Sequence, residues 1–142
     1  RTITTNRLFE VLPRTDVLVL ALALTDETVG IVGGAELAAL PDHAWLVNVA
    51  RGGHVVTEAL VEALQSGSLG GAALDVVDPE PIPQNHPLLA LNNLTITPHI
   101  GSASLISRQR MSLMAARNLL AGVQDQRLEH CANPEVYAAR GI

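Results

Sequence analysis

A single cysteine, no cluster of basic residues and no apolar run of membrane-spanning length narrow the reading of this 142-residue sequence before any motif is considered. Cys131 cannot close an internal disulfide, so a reducing cytoplasm is the expected setting. It sits in the polar stretch EHCANPE, poor surroundings for a nucleophile. The formal net charge is −5 and the basic residues are scattered, which argues against nucleic acid as the main partner. No run approaches the roughly 20 apolar residues of a membrane span, and no signal peptide is visible. His43, His54, His86 and His130 show no metal-ligand spacing with a second ligand, so no metal site is expected.

What is present is a globular composition, 48% apolar and 16% charged, in a length that suits one domain with a real core. The chain opens on Arg1, and RTITTNRLFEVLP does not read as a natural start, so it is expected to be part of a longer protein. Short β-branched runs alternate with helical ones. DVLVLAL (16–22), AWLVNV (44–49), AALDVV (72–77) and NLTIT (93–97) read as strands, the first as a continuous buried one. Thr25 in TDET is a candidate helix cap, and GAELAALP reads as a short helix stopped by Pro41. TEALVEALQSGSLGG reads as an amphipathic helix with Thr57 at its start and Gly67 past its end. A long helix is expected from about Ala103 to Ala121. Strands separated by helices imply right-handed crossovers and a parallel sheet covered on both faces, an α/β fold.

In open parallel sheets, ligands bind at the carboxyl ends of the strands. Three polar residues fall there: Arg51 after the second strand, Glu80 after the third and His99 after the fourth. Arg51 offers a fork of donors for a carboxylate and a neighbouring carbonyl oxygen. His99 is suited to moving a proton near neutral pH, and Glu80 would bond the imidazole, fix its tautomer and favour its charged form. With a hydride donor alongside, that trio is equipped to reduce a 2-oxo acid to a 2-hydroxy acid. Taken singly, each has a plain structural reading as an ion pair, a packed loop residue or a solvated loop charge. Their joint placement carries the argument. Asp75 is the other anomaly, a carboxylate in an apolar strand that needs partners, either backbone amides or a ligand's amide group.

LPRTDVLVLALALTDET, LVNVARGG, GAALDVVDPEP, HPLL and TPHIGSAS resemble, in order and spacing, the D-isomer-specific 2-hydroxyacid dehydrogenases. PEPIPQNHPLLAL looks most like the glyoxylate/hydroxypyruvate reductase branch, and Glu80 stands where the formate dehydrogenase branch would have glutamine. The resemblance implies that Arg51 takes the substrate carboxylate, that Glu80 pairs with His99, and that His99 is the proton donor. It implies that Asp75 faces the nicotinamide carboxamide and that Val49 and Ala50 run beside the nicotinamide. Ala23 and Thr28 would line the cofactor, and Gly101 and Ser102 would flank substrate and nicotinamide. The family's phosphate loop, G-x-G-x-x-G, is absent, since GIVGG and GSLGG lack that spacing. The implied architecture is therefore part of a doubly wound sheet, the carboxyl-terminal half of a Rossmann-type domain for NAD or NADP, with a long C-terminal helix. Residues 1–122 would belong to the cofactor domain, and 123–142 would form a tail returning toward a substrate domain. The implied partners are a small 2-oxo or 2-hydroxy acid and, in the full-length protein, a second copy. The rival readings are a corepressor-type protein that senses NAD(H) on the same scaffold, and a structural α/β domain with a chance polar cluster.

Overall fold

Short apolar runs separated by turn residues and helices give this chain short strands. The computed structural model, which describes residues 5–140, contains β1 (Val17–Leu20), α1 (Gly34–Ala39), β2 (Trp45–Asn48), α2 (Thr57–Ser66), β3 (Gly71–Leu74), β4 (Leu94–Ile96), α3 (Leu105–Val123) and α4 (Val136–Arg140). Two compact units result, Arg1–His99 and Ile100–Ile142. In the first, all four strands pair in parallel in the order β1-β2-β3-β4. The register sets Leu20 beside Asn48 and Asn48 beside Leu74. No helix among the described residues is long and apolar enough to cross a membrane.

Because side chains alternate along a strand, one sheet face collects Leu18, Leu20, Leu46, Ala72 and Leu74. This face packs into one core with Leu37 and Leu40 around α1 and with Leu60, Ala63 and Leu64 of α2. The opposite face differs from the expectation of two covered sides. Val17, Val19 and Trp45 on it stay exposed, and the Trp45 ring lies over Gly71. A continuous apolar run reads as buried on both sides whether or not both sides are covered.

The helix ends follow the sequence where local chemistry is sufficient. Gly67 adopts φ +75° just past α2, a left-handed end that glycine makes without strain, and Pro41 follows the end of α1. Two residues expected as caps bond elsewhere. Thr25 begins a single turn, its carbonyl accepting from the N–H groups of Thr28 and Val29. The helix begins at Gly34 instead, where the Glu36 carboxylate accepts from Gly33 N–H at 2.9 Å. Thr57 is the first residue of α2, with Val56 at the cap, and its hydroxyl donates across to the Asp78 carbonyl at 3.0 Å. Placed one residue inside the helix, that hydroxyl ties α2 to the neighbouring loop and does not cap the helix's own N–H groups. The strands end earlier than their apolar runs, so Asp75 lies just beyond β3 and not within it.

In the unit Ile100–Ile142, Ser104 caps α3 by accepting from Ser107 N–H at 3.1 Å. Asn118 holds the returning chain, donating to His130 O at 2.7 Å and accepting from His130 N–H at 3.2 Å. The Tyr137 hydroxyl accepts from Leu128 N–H, and Arg127 lies over the Tyr137 ring. No residue of α3 is buried, and Ile106, Met111, Leu113 and Leu119 are all more than half exposed.

At the amino-terminal edge of the sheet, His43 Nε2 lies 2.9 Å from Asp16 Oδ1. The Asp16 hydrogen bond, helped by the charges of Asp16 and Asp42, raises the His43 pKa above its ordinary 6.5. A raised folded-state value means that the pair's stabilisation is fully present below the unfolded-state value and is lost as pH rises through the folded-state one. Asp16→Asn should therefore lower the His43 titration midpoint followed by NMR. An unmoved midpoint would dissolve the pair.

Candidate active site

The sheet's hydrogen-bond pattern runs on past the strand ends and so places the residues that follow. Asp75 N–H donates to Asn48 O, Thr97 N–H to Leu74 O, and His99 N–H to Asp75 O, each at 2.9 Å. Three adjacent carboxyl ends are thus tied side by side, as an open parallel sheet requires for a shared crevice.

The turn after β2 carries Arg51 and is built on a buried asparagine. Asn48, 1% exposed, uses both ends of its amide: Oδ1 accepts from Ala50 N–H at 3.0 Å and Nδ2 donates to Arg51 O at 2.8 Å. Arg51 itself is extended and exposed, with Nη1 donating to Ala50 O at 2.6 Å. Directly after it, Gly52 presses against the chain leaving β3. A Cβ there would lie 2.1 Å from the Val77 carbonyl carbon and oxygen. Only glycine permits that approach, which brings the Arg51 turn against the start of the DPEP loop. His54, fully buried, sits beneath the same turn, with Nδ1 2.9 Å from Arg51 O and Nε2 3.2 Å from Ala23 O.

Ala23 and Thr28 meet in the loop after β1. The Thr28 hydroxyl donates to Ala23 O at 2.8 Å and accepts from Thr25 N–H at 2.8 Å. Val49, half exposed, continues from β2 with its N–H on Leu20 O, while Ala50 is buried. At the next strand end the Asp75 carboxylate, 9% exposed, accepts from the Thr97 hydroxyl at 2.6 Å. That bond is part of what makes a buried carboxylate tolerable there.

Glu80 and His99 come together. The ring Nδ1–H donates to Glu80 Oε1 at 2.8 Å, with both side chains about two-fifths exposed, 41% for His99 and 42% for Glu80. Bonding at Nδ1 fixes the tautomer and turns Nε2 outward, where it has no hydrogen-bond partner among the described residues. His99 holds φ +53°, a left-handed backbone uncommon outside glycine, pinned by its N–H on Asp75 O and Thr97 O. Glu80 stands between Pro79 and Pro81, and both preceding peptides are cis. A cavity of about 440 Å³ beside the pair is lined by Asp75, Ile82, Leu89, Ile96 and Thr97.

The structure thus joins Glu80 to His99, links Asp75 to the His99 backbone, and packs the Arg51 turn against the chain that leads to Glu80. Gly101 and Ser102 belong to the second unit, Ile100–Ile142. Asn48, Gly52, His54 and Thr97 escaped the sequence reading of the site. A polar residue ending an apolar strand was the available signal for Asn48, as it was for Asp75. Among the described residues no group of three or more His, Cys, Asp or Glu could hold a metal ion.

Residues 1–101 match the family model described as D-isomer specific 2-hydroxyacid dehydrogenase, NAD binding domain. The chain is 42% identical over 131 residues to a glyoxylate reductase of Thermofilum pendens, a match covering 92% of this chain and 39% of the relative. It superposes on the TT0316 protein from Thermus thermophilus with a TM-score of 0.82 at 50% identity, over 87% of this chain and 39% of the other. An NADPH-dependent glyoxylate/hydroxypyruvate reductase from Sinorhizobium meliloti, in complex with NADP and malonate, gives 0.74 at 38% identity, over 80% and 35%. The chain therefore spans about two-fifths of the length of these relatives.

Gly52→Ala drives a Cβ into backbone, so the Arg51 turn and the chain after β3 must separate. Overpacking of this kind costs about 1–3 kcal/mol, read as a lowered unfolding midpoint in denaturant. Gly53→Ala meets only side-chain atoms, Leu24 at 3.4 Å and the Asp78 carboxylate at 3.9 Å, and should cost less. Equal costs would mean that the close approach does not constrain the turn.

Proposed function

Since this chain belongs to the D-isomer-specific 2-hydroxyacid dehydrogenase family, we propose that it forms part of a cytoplasmic, homodimeric NAD(P)H-dependent reductase of small 2-oxo acids such as glyoxylate and hydroxypyruvate. Residues 1–122 serve its cofactor domain, and 123–142 lead back toward a substrate domain. The observation that carries the reading is the 2.8 Å bond between His99 Nδ1 and Glu80 Oε1 at the end of a parallel sheet.

The residues present fit the nicotinamide end of such a cofactor. A buried carboxylate, Asp75, is suited to accept from a carboxamide, and half-exposed Val49 offers an apolar flank one strand away. Ala50, Arg51 and His99 border the same strand ends; Ala23 and Thr28 close the loop after β1, and Gly101 follows His99 in sequence. When bound, NADH or NADPH supplies the hydride; the choice between them is set by residues outside this sequence's motifs.

The chain's own groups do the rest. Arg51 has five N–H donors, of which Nη1 serves Ala50 O, so the fork retains donors for a substrate carboxylate and the adjoining carbonyl oxygen. Glu80 orients the His99 ring, and Nε2 delivers its proton to the carbonyl oxygen as that oxygen gains negative charge. In the reverse direction Nε2 takes the hydroxyl proton. We assign Ser102 to the substrate side of the site. The relatives named above by activity are reductases, and the corepressor reading gains no support.

In the full-length protein, consumption of NADH or NADPH with glyoxylate or hydroxypyruvate is the direct test, and no turnover with either would sink the reading. Arg51→Ala should raise KM and lower kcat together, because a lost charged hydrogen bond costs roughly 1.5–3 kcal/mol, or about 10- to 150-fold in kcat/KM. Arg51→Lys should recover only part of this, a point charge being a poor copy of the fork. His99→Ala should depress both directions by about 10²- to 10⁴-fold. Wild-type kinetics in either alanine variant would remove that residue from the mechanism.

A further inference from the structure

His54 is a buried titratable side chain that the proposed reaction does not use. Its ring is fully enclosed, yet it is not surrounded by hydrocarbon alone: Nδ1 lies 2.9 Å from Arg51 O and Nε2 3.2 Å from Ala23 O. Both neighbours are carbonyl oxygens, which only accept, so the ring's single N–H in its neutral form donates to one of them, and the shorter contact is the one from Nδ1 to Arg51 O. Leucine or valine would fill the same space without burying a polar ring.

The surrounding backbone already has partners of its own. Gly30 N–H donates to Gly53 O, Val32 N–H to His54 O and Val56 N–H to Val32 O, which locks residues 53–56 against 30–32. The ring is therefore not needed to hold its own segment. What it adds lies upstream, at Arg51. That carbonyl oxygen takes Asn48 Nδ2 at 2.8 Å from one direction and the His54 ring at 2.9 Å from another. The second contact, Ala23 O, is the acceptor that Thr28 also holds, at 2.8 Å. One enclosed ring thus connects the turn that presents Arg51 with the loop after β1.

We propose that His54 is a positioning residue for substrate binding: its Nδ1–H fixes the Arg51 main chain, and so the origin of the guanidinium that receives the substrate carboxylate. The role rests on the reading of Arg51 given above. It operates through Arg51 and touches no reacting atom. A small shift of that main chain is magnified along a long side chain, so affinity for the acid responds before the chemical step does.

The test uses the full-length reductase and the geometry of three replacements. His54→Leu removes the ring and its N–H donor. His54→Asn can set an amide N–H where Nδ1 stands, and His54→Gln sets one where Nε2 stands. With glyoxylate as substrate, His54→Leu should raise KM roughly three- to tenfold with kcat changed less. His54→Asn should return KM to within about twofold of wild type, while His54→Gln should not, at comparable thermal midpoints. The Asn and Gln pair keeps the test decisive if the leucine variant fails to fold. A plain packing role predicts altered midpoints with the wild-type KM in all three, and that result, or equal rescue by Asn and Gln, overturns the proposal. A wild-type protein that reduces no 2-oxo acid overturns the functional reading and this role with it. An active wild type with indifferent variants overturns this role alone.

Discussion

The Arg51 carbonyl oxygen is the point on which the candidate site depends. It receives the Asn48 side-chain amide, the His54 ring and, more loosely at 3.3 Å, the His54 backbone N–H. Two of those donors belong to side chains with no more than 1% exposure, so neither has water to fall back on. A buried donor left without its acceptor costs about 1–3 kcal/mol, and the turn is over-determined as a result. Its conformation then dictates where the guanidinium leaves the backbone and brings Gly52 against Val77.

That contact is how one strand end communicates with the next. The chain leaving β3 carries Asp75, touches Gly52 and continues to Glu80, while His99 is hung from Asp75 by its own N–H. Neighbouring strands lie about 4.8 Å apart, so side chains two strands apart need roughly 10 Å bridged by loops, not by the sheet. The DPEP segment makes that bridge, since its start lies against Gly52 after β2 and its Glu80 bonds His99 after β4. The left-handed backbone of His99 is held at the carbonyls of Asp75 and Thr97, and its ring is held again at Glu80. Local strain of this type persists where surrounding contacts over-determine it.

The fold is less complete than its site. One sheet face has a core, while Val17, Val19 and Trp45 on the other are about half exposed, and α3 buries none of its apolar residues. The relatives are more than twice the length of this chain.

The sequence by itself determined the parallel α/β order, because short apolar runs alternating with helical periods leave few other topologies. It also located Arg51, Glu80 and His99 at strand ends and placed the glycine at the end of α2, since those are matters of spacing and of backbone preference at single residues. What it missed shares one cause. Thr25 and Thr57 have the chemistry of caps, yet Thr57 is bonded to a carbonyl from the loop after β3, and Thr25 closes a turn because Gly30 N–H is drawn to Gly53 O. His54 and Asn48 read as a stray histidine and a polar interruption until the turn folds both onto one oxygen. Only the tertiary structure decided these, because Thr57 and the His54 Nε2 meet carbonyls 21 and 31 residues away, and Asn48 and the His54 Nδ1 reach Arg51 O, three residues off, only once the turn has closed.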